Sequence, residues 1–239
     1  MDSENIKKYI LKGLPEEWYD YASELKEAAQ TLWKSNQNTM IIYQTERDGN
    51  YTRKYFSRTY FFLLGIAIEN LIKGILISEN PDYLKDGKIS ANISSGHNIS
   101  FLAEQIKSLT FNDTEQNIFK TLSDVIPYWG KYPIPKNFNN LKKEVFFNEK
   151  WYNELIAIFE KLEVNFYKLN LNGIDGSNNI RFPKLVIEFR RHAKFPPLVR
   201  ICDAGLSEQG IFNAPLHSPL SHNVIAPRYS TSNKPFPFP

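Results

Sequence analysis

The apolar positions of this chain fall into helical stripes separated by polar breaks marked with glycine and proline. Across residues 15–34, Trp18, Tyr21, Ala22, Leu25, Ala28, Ala29 and Leu32 recur at steps of three and four, which predicts an amphipathic helix. It opens on Pro15, Glu16 and Glu17. Proline has no N–H to leave unpaired in a first turn, and carboxylates there face the positive end of the helix dipole. The stretch from Tyr51 to Ser78 is different, because it is apolar on nearly every side. That is the pattern of a helix enclosed by other helices. Pro81, after Glu79 and Asn80, stops it, since the ring disfavours helical geometry in the residue before it. Residues 38–50 (NTMIIYQTERDGN) hold a short β-branched run with no obvious strand to pair with. They are expected to form a connector ending at Asp48-Gly49.

A third helix is expected near 99–109, with Ile99, Leu102, Ala103, Ile106 and Leu109 as its stripe and Asn98 or Ser100 as its cap. Asp113, with Gln116 three residues on, resembles a capping box that opens a fourth helix. Ile118, Phe119, Leu122, Val125 and Ile126 form its inner face, and Pro127 is expected to end it. Tyr128, Trp129 and Tyr132 then surround Gly130 and two prolines in a rigid aromatic corner. The fifth helix, from about Asn148 to Leu171, has the steadiest period, through Trp151, Leu155, Ile158, Leu162, Phe166 and Leu169. About five helices with short connections predict an all-α antiparallel bundle over 1–172.

Beyond Leu171 the pattern is lost. Residues 172–179 (NGIDGSNN) have linker composition, and 173–239 reads as a Pro-rich, basic linker and tail. Within it, 184–195 and 201–204 are candidates for short elements, and disorder is expected from Ser207 on.

Composition adds bounds. Of 239 residues, 42% are hydrophobic and 14% aromatic, enough for a sizeable core. The net charge of +3 does not by itself point to nucleic acid. It is unevenly spread, with eight Lys/Arg against three acidic residues in 181–239. The single cysteine, Cys202, excludes an internal disulfide and a Cys-rich zinc site, and fits a reducing compartment. The first 13 residues are too polar for a signal peptide. The uninterrupted apolar run Tyr60–Ile68 is about half of the ~20 residues a bilayer requires. A cytoplasmic protein without a membrane span is expected. P-loop, Rossmann and α/β-hydrolase signatures are absent, as is any His/Asp/Glu set at metal-ligand spacing, so neither cofactor nor metal is expected.

The candidate chemistry starts inside the apolar helix, where Glu69 and Lys73 stand one turn apart with glutamate first, the favoured order for a helical ion pair. Either they form a structural pair reaching the helix surface, or they line a polar pocket. A buried pair needs further partners to offset desolvation, and His97 and Lys131 are the candidates. His97 is either a residue packed at a helix start or an acid–base group oriented by Glu69. Trp129, Lys131 and Tyr132 form either a packed corner or an aromatic platform with a cation, suited to a base and its phosphate. Arg53, Lys54 and Arg58, in the first half of the same helix, form either a solvated face or a phosphate-contacting stripe.

The order GIAIENLIKGIL, a Gly-containing loop with His97 opening the next helix, WGKYPIP and a closing helix resembles HEPN-domain proteins over roughly residues 51–170. The resemblance implies an all-α bundle, commonly homodimeric. Many members are metal-independent ribonucleases of toxin–antitoxin and anti-phage systems, and others bind nucleotides or proteins. Catalytic members carry Arg-x4-6-His, in which arginine stabilises phosphate charge and histidine handles the proton at the 2′-oxygen. Here Asn92, Ala91 and Ser90 occupy the arginine positions before His97. The expectation is therefore a HEPN-like bundle that binds RNA, a nucleotide or a protein partner without conventional nuclease activity. The alternatives are a metal-independent ribonuclease using His97 as acid/base, with Lys131 or Lys73 for the phosphate charge, and a purely structural, antitoxin-like interaction protein.

Overall fold

The computed structural model describes residues 3–35, 40–45, 49–54, 57–94, 96–129, 137, 139, 148–182, 184–188 and 198–202. For 40–45, 49–54, 57, 128–129, 184–188 and 198–202 the description is of the backbone alone. Residues 1–204 form one compact unit, and a second unit, 205–239, lies outside the described residues. The disorder expected from Ser207 onward falls there.

The described chain is mostly helical. Its main helices are α1 (Ser3–Lys12), α2 (Pro15–Ser35) and α3 (Ser57–Glu79), followed by the short α4 (Ala91–Ser94) and α5 (Ile99–Glu104). α6 (Asp113–Trp129) and α7 (Glu149–Asn170) complete the bundle. α3 is its centre. Leu64, Ala67, Ile68, Leu71, Ile72, Ile75 and Ile77 are all fully buried, which requires protein on every side of the helix. α2 and α7 cover most of it, and α5 and α6 cover the remainder. At Gly65 the approach of α6 is so close that an added Cβ would lie 2.5 Å from Ile126 Cδ1. α3 is long and apolar enough to cross a membrane by length and composition, yet 78% of its most apolar window is buried within the bundle.

Several elements differ from the sequence reading. β1 (Met40–Thr45) and β2 (Gly49–Lys54) pair antiparallel, with Ile41 opposite Arg53. The strand partner is present in the sequence as GNYTRK, of which the helix expected over 51–78 takes in YTRK. α3 thus begins at Ser57. α1 had no counterpart in the reading, since its one buried residue is Ile10 and no continuous stripe marks it.

The capping box of α6 lies one residue earlier than expected. Asn112 Oδ1 accepts from Glu115 N at 2.9 Å, and Glu115 Oε2 accepts from Asn112 N at 2.8 Å. The helix also runs through Pro127 to Trp129. A proline near a helix end removes one N–H from the ladder without obliging the chain to leave it. α5 is shorter than expected, although its cap is Asn98, whose Oδ1 accepts from Phe101 N at 3.0 Å.

The segment with linker composition is folded against the bundle. After α7, Gly173 (φ +69°) turns the chain into a hairpin of β5 (Ile174–Asp175) and β6 (Arg181–Phe182). Two further hairpins are β3 (Leu84–Lys85) with β4 (Lys88–Ile89), and β7 (Lys184–Glu188) with β8 (Leu198–Cys202). Between β5 and β6, the Ser177 hydroxyl donates to Leu84 O, and Asn178 Nδ2 donates to Asp86 Oδ1 at 2.7 Å. Phe182 is fully buried. Polar turn residues here satisfy a second turn, 84–89, while one phenylalanine anchors the pair. The folded unit therefore continues past residue 172.

Candidate functional site

Glu69 and Lys73 face the same side of α3 and are 2% and 9% exposed. Lys73 Nζ donates to Glu69 Oε1 at 2.6 Å. The other carboxylate oxygen, Oε2, lies 2.8 Å from His97 Nδ1. His97 reaches it from the loop before α5, after Gly96 (φ +76°) and beside the Asn98 cap. A carboxylate only accepts, so Nδ1 carries a proton here and a neutral ring keeps Nε2 as its acceptor. The ring is half exposed, whereas its orienting carboxylate is buried.

The other end of this chain is also held. Lys73 Nζ lies 5.7 Å from the centroid of Trp18 on α2, whose indole N–H donates to Gly13 O at 3.2 Å. Trp18 had been read only as part of an apolar stripe. The pair thus has an aromatic partner on one side and an imidazole on the other, which is what two charges removed from water need.

His97 heads a cleft of about 570 Å³ between α5 and α6. Its walls include Ser100 and Glu104 of α5 and Lys120, Ser123 and Asp124 of α6. Ser123 Oγ accepts from Ser100 N at 3.0 Å and donates to Phe119 O at 2.7 Å, which fixes the two helices at the cleft. No described residue pairs with the Lys120 ammonium. Sequence reasoning followed the inner face of α6 and missed this outer one. The available signal was Lys120 and Asp124 one turn apart on the polar side.

Of the expected site residues, Glu69, Lys73 and His97 come together. Lys131 and Tyr132 lie outside the described residues, as does the side chain of Trp129, whose backbone ends α6. Arg53 and Arg58 do not share one helical stripe. Arg53 belongs to β2 and Arg58 to the first turn of α3, because the chain changes from strand to helix between them. Among the described residues, no group of three His, Cys, Asp or Glu is placed to hold a metal ion. Comparison with known proteins finds no matching family model, curated protein or solved structure.

Proposed function

We propose that this chain is a HEPN-like bundle that binds RNA or a nucleotide in the cleft headed by His97, with His97 as its proton-transfer group. The observation that carries this reading is the 2.8 Å contact between His97 Nδ1 and the buried Glu69 carboxylate. A carboxylate on one imidazole nitrogen fixes the tautomer and the ring's orientation, so the second nitrogen can take a proton from a bound hydroxyl. On a ribose, Nε2 would accept the 2′-hydroxyl proton as O2′ bonds to phosphorus. The P–O5′ bond would break, leaving a cyclic phosphate, and the departing oxygen would take a proton from imidazolium or solvent. Lys120 supplies a cation for the phosphate in place of the missing arginine. The homodimer and a role in defence rest on the family resemblance, and the cytoplasmic setting on the single cysteine and the polar first residues.

The Lys120 ammonium shares the cleft wall with the Glu104 carboxylate, so the cleft suits one or two nucleotides better than a long polyanion. Short labelled single-stranded RNA titrated in EDTA tests the reading. His97→Ala and Lys120→Ala should each weaken binding about tenfold with an unchanged melting temperature. Cleavage by the wild type that His97→Ala abolishes would add catalysis to binding. Absence of binding by the wild type would overturn the reading.

The burial of Glu69 and Lys73 favours a second reading, a brace that ties the α5 loop to α3. In that case His97→Ala would lower stability and leave ligand binding unchanged.

A further inference from the structure

The His97 cleft does not end at Glu104. A second hollow of about 270 Å³ continues the α5–α6 groove and shares Ser100 and Glu104 with the first. Its floor is apolar, with Ala103, Ile106 and Phe119. Leu109 and Phe111 stand beside them, and the remaining lining, Ser100, Glu104, Thr110 and Gln116, is polar. Phe111 meets Phe119 edge to face, with centroids 4.9 Å apart. Pockets for drug-sized ligands run from about 300 to 1,000 Å³, so this hollow suits a single flat ring system. The shared wall, Ser100 to Glu104, is one helical turn, or about 6 Å along the axis.

The connection from α5 to α6 that lines the hollow is held at two points. The Glu79 carboxylate accepts from Lys107 N at 2.9 Å and from Ser108 N at 2.8 Å. At the other end, Lys161 Nζ donates to Thr110 O at 2.9 Å and lies 5.0 Å from the Phe111 ring centroid. Lys161 is itself anchored on Glu115. A pocket ordered before its ligand arrives loses less entropy on binding.

Glu104 is the one charged group lining this hollow among the described residues. Glu104 is an exposed carboxylate that only accepts, and no described residue pairs with it. Gln116 donates its Nε2 to Phe111 O at 3.1 Å, which leaves its Oε1 as an acceptor. A carboxylate with two acceptor oxygens at the mouth of the hollow favours a ring that offers adjacent N–H donors.

We propose that this second hollow is a nucleobase subsite selective for guanine, whose N1–H and amino group meet the Glu104 carboxylate while its phosphate lies toward His97 and Lys120. Guanine presents two donors side by side. Uracil offers one N–H between two carbonyls, which the carboxylate repels. This inference rests on the nucleotide reading of the His97 cleft and adds a base identity to it.

Titration calorimetry with GMP and UMP, using the full chain in EDTA, tests it. The wild type should bind GMP about tenfold tighter than UMP, within the discrimination of one good bidentate pair. Glu104→Gln, on an exposed position, should reduce that ratio to about one without weakening UMP. His97→Ala should weaken both nucleotides alike and keep the ratio. Equal affinity in the wild type, or an unchanged ratio in Glu104→Gln, overturns the guanine subsite and leaves the cleft reading standing. Binding of neither nucleotide overturns both.

Discussion

Glu69 on α3 and His97 before α5, 28 residues apart in the chain, are joined by a 2.8 Å contact from carboxylate to imidazole. The carboxylate also holds Lys73, so one buried anion serves two cationic or donor groups. Glu69→Leu should leave Lys73 uncompensated in the core and cost about 3–5 kcal/mol. Adding Lys73→Met should recover most of that loss, because no buried charge then remains. Urea unfolding of the single and double variants measures this directly. Equal destabilisation in both would show that the ion pair is not the source. His97→Ala, at a half-exposed position, should leave stability within about 0.5 kcal/mol of the wild type.

Glu16 gives the fold a pH dependence. It lies in the first turn of α2, is 2% exposed, and neither carboxyl oxygen has a hydrogen-bond partner among the described residues. Burial, with Asp20 and Glu17 nearby, pushes its pKa up to about 7. The folded state therefore holds this proton more tightly than the unfolded chain does. Its stabilising effect is complete below about pH 4.5, declines as pH rises toward 7, and is lost above that. At about 1.4 kcal/mol per pKa unit, a rise from 4.5 to about 7 makes the loss about 3–4 kcal/mol. Glu16→Gln should flatten this part of the stability profile and raise stability at pH 8. An unchanged profile would show that the carboxyl is solvated.

The hairpin after α7 should behave as part of the bundle. Phe182→Ala removes a fully buried ring and should cost about 3–5 kcal/mol by urea unfolding. Gly176→Ala should also destabilise, since its Cβ would fall 2.2 Å from Phe182 Cε1 and 2.4 Å from Ile180 O. Limited proteolysis should spare 174–182. Ready cutting there would mean that the hairpin does not hold Phe182 in the core.

The α6 cap separates two adjacent residues. Asn112→Ala breaks the reciprocal bonds with Glu115 and should cost about 1–2 kcal/mol. Asp113→Ala removes only a favourable charge near the helix start, worth about 0.3–1 kcal/mol. Thermal melts of the two variants rank them. The reverse order would return the cap to Asp113.

The helical period alone locates α2, α7 and the inner face of α6, because burying one face of a helix repeats every three to four residues whatever the partner. It also identifies α3 as the centre and Glu69–Lys73 as an anomaly within it. His97 was legible as a candidate partner because a buried ion pair requires one. The β1–β2 pairing was not legible. Its second strand, GNYTRK, abuts the apolar helix without a proline between them, so local pattern joined the two. The 174–182 hairpin was hidden for a related reason. Its turn residues look like a linker, and only the docking of Phe182 and Ser177 against distant residues makes them structure. Sequence by itself thus determined the main part of α2, α3, α6 and α7 and which charges need explaining, since both follow from local burial. Tertiary structure decided that Glu69 and His97 meet, that Arg53 and Arg58 belong to different elements, and that α5 and α6 enclose a cleft. Those are relations between distant segments, and local periodicity carries no information about which segments will pack together.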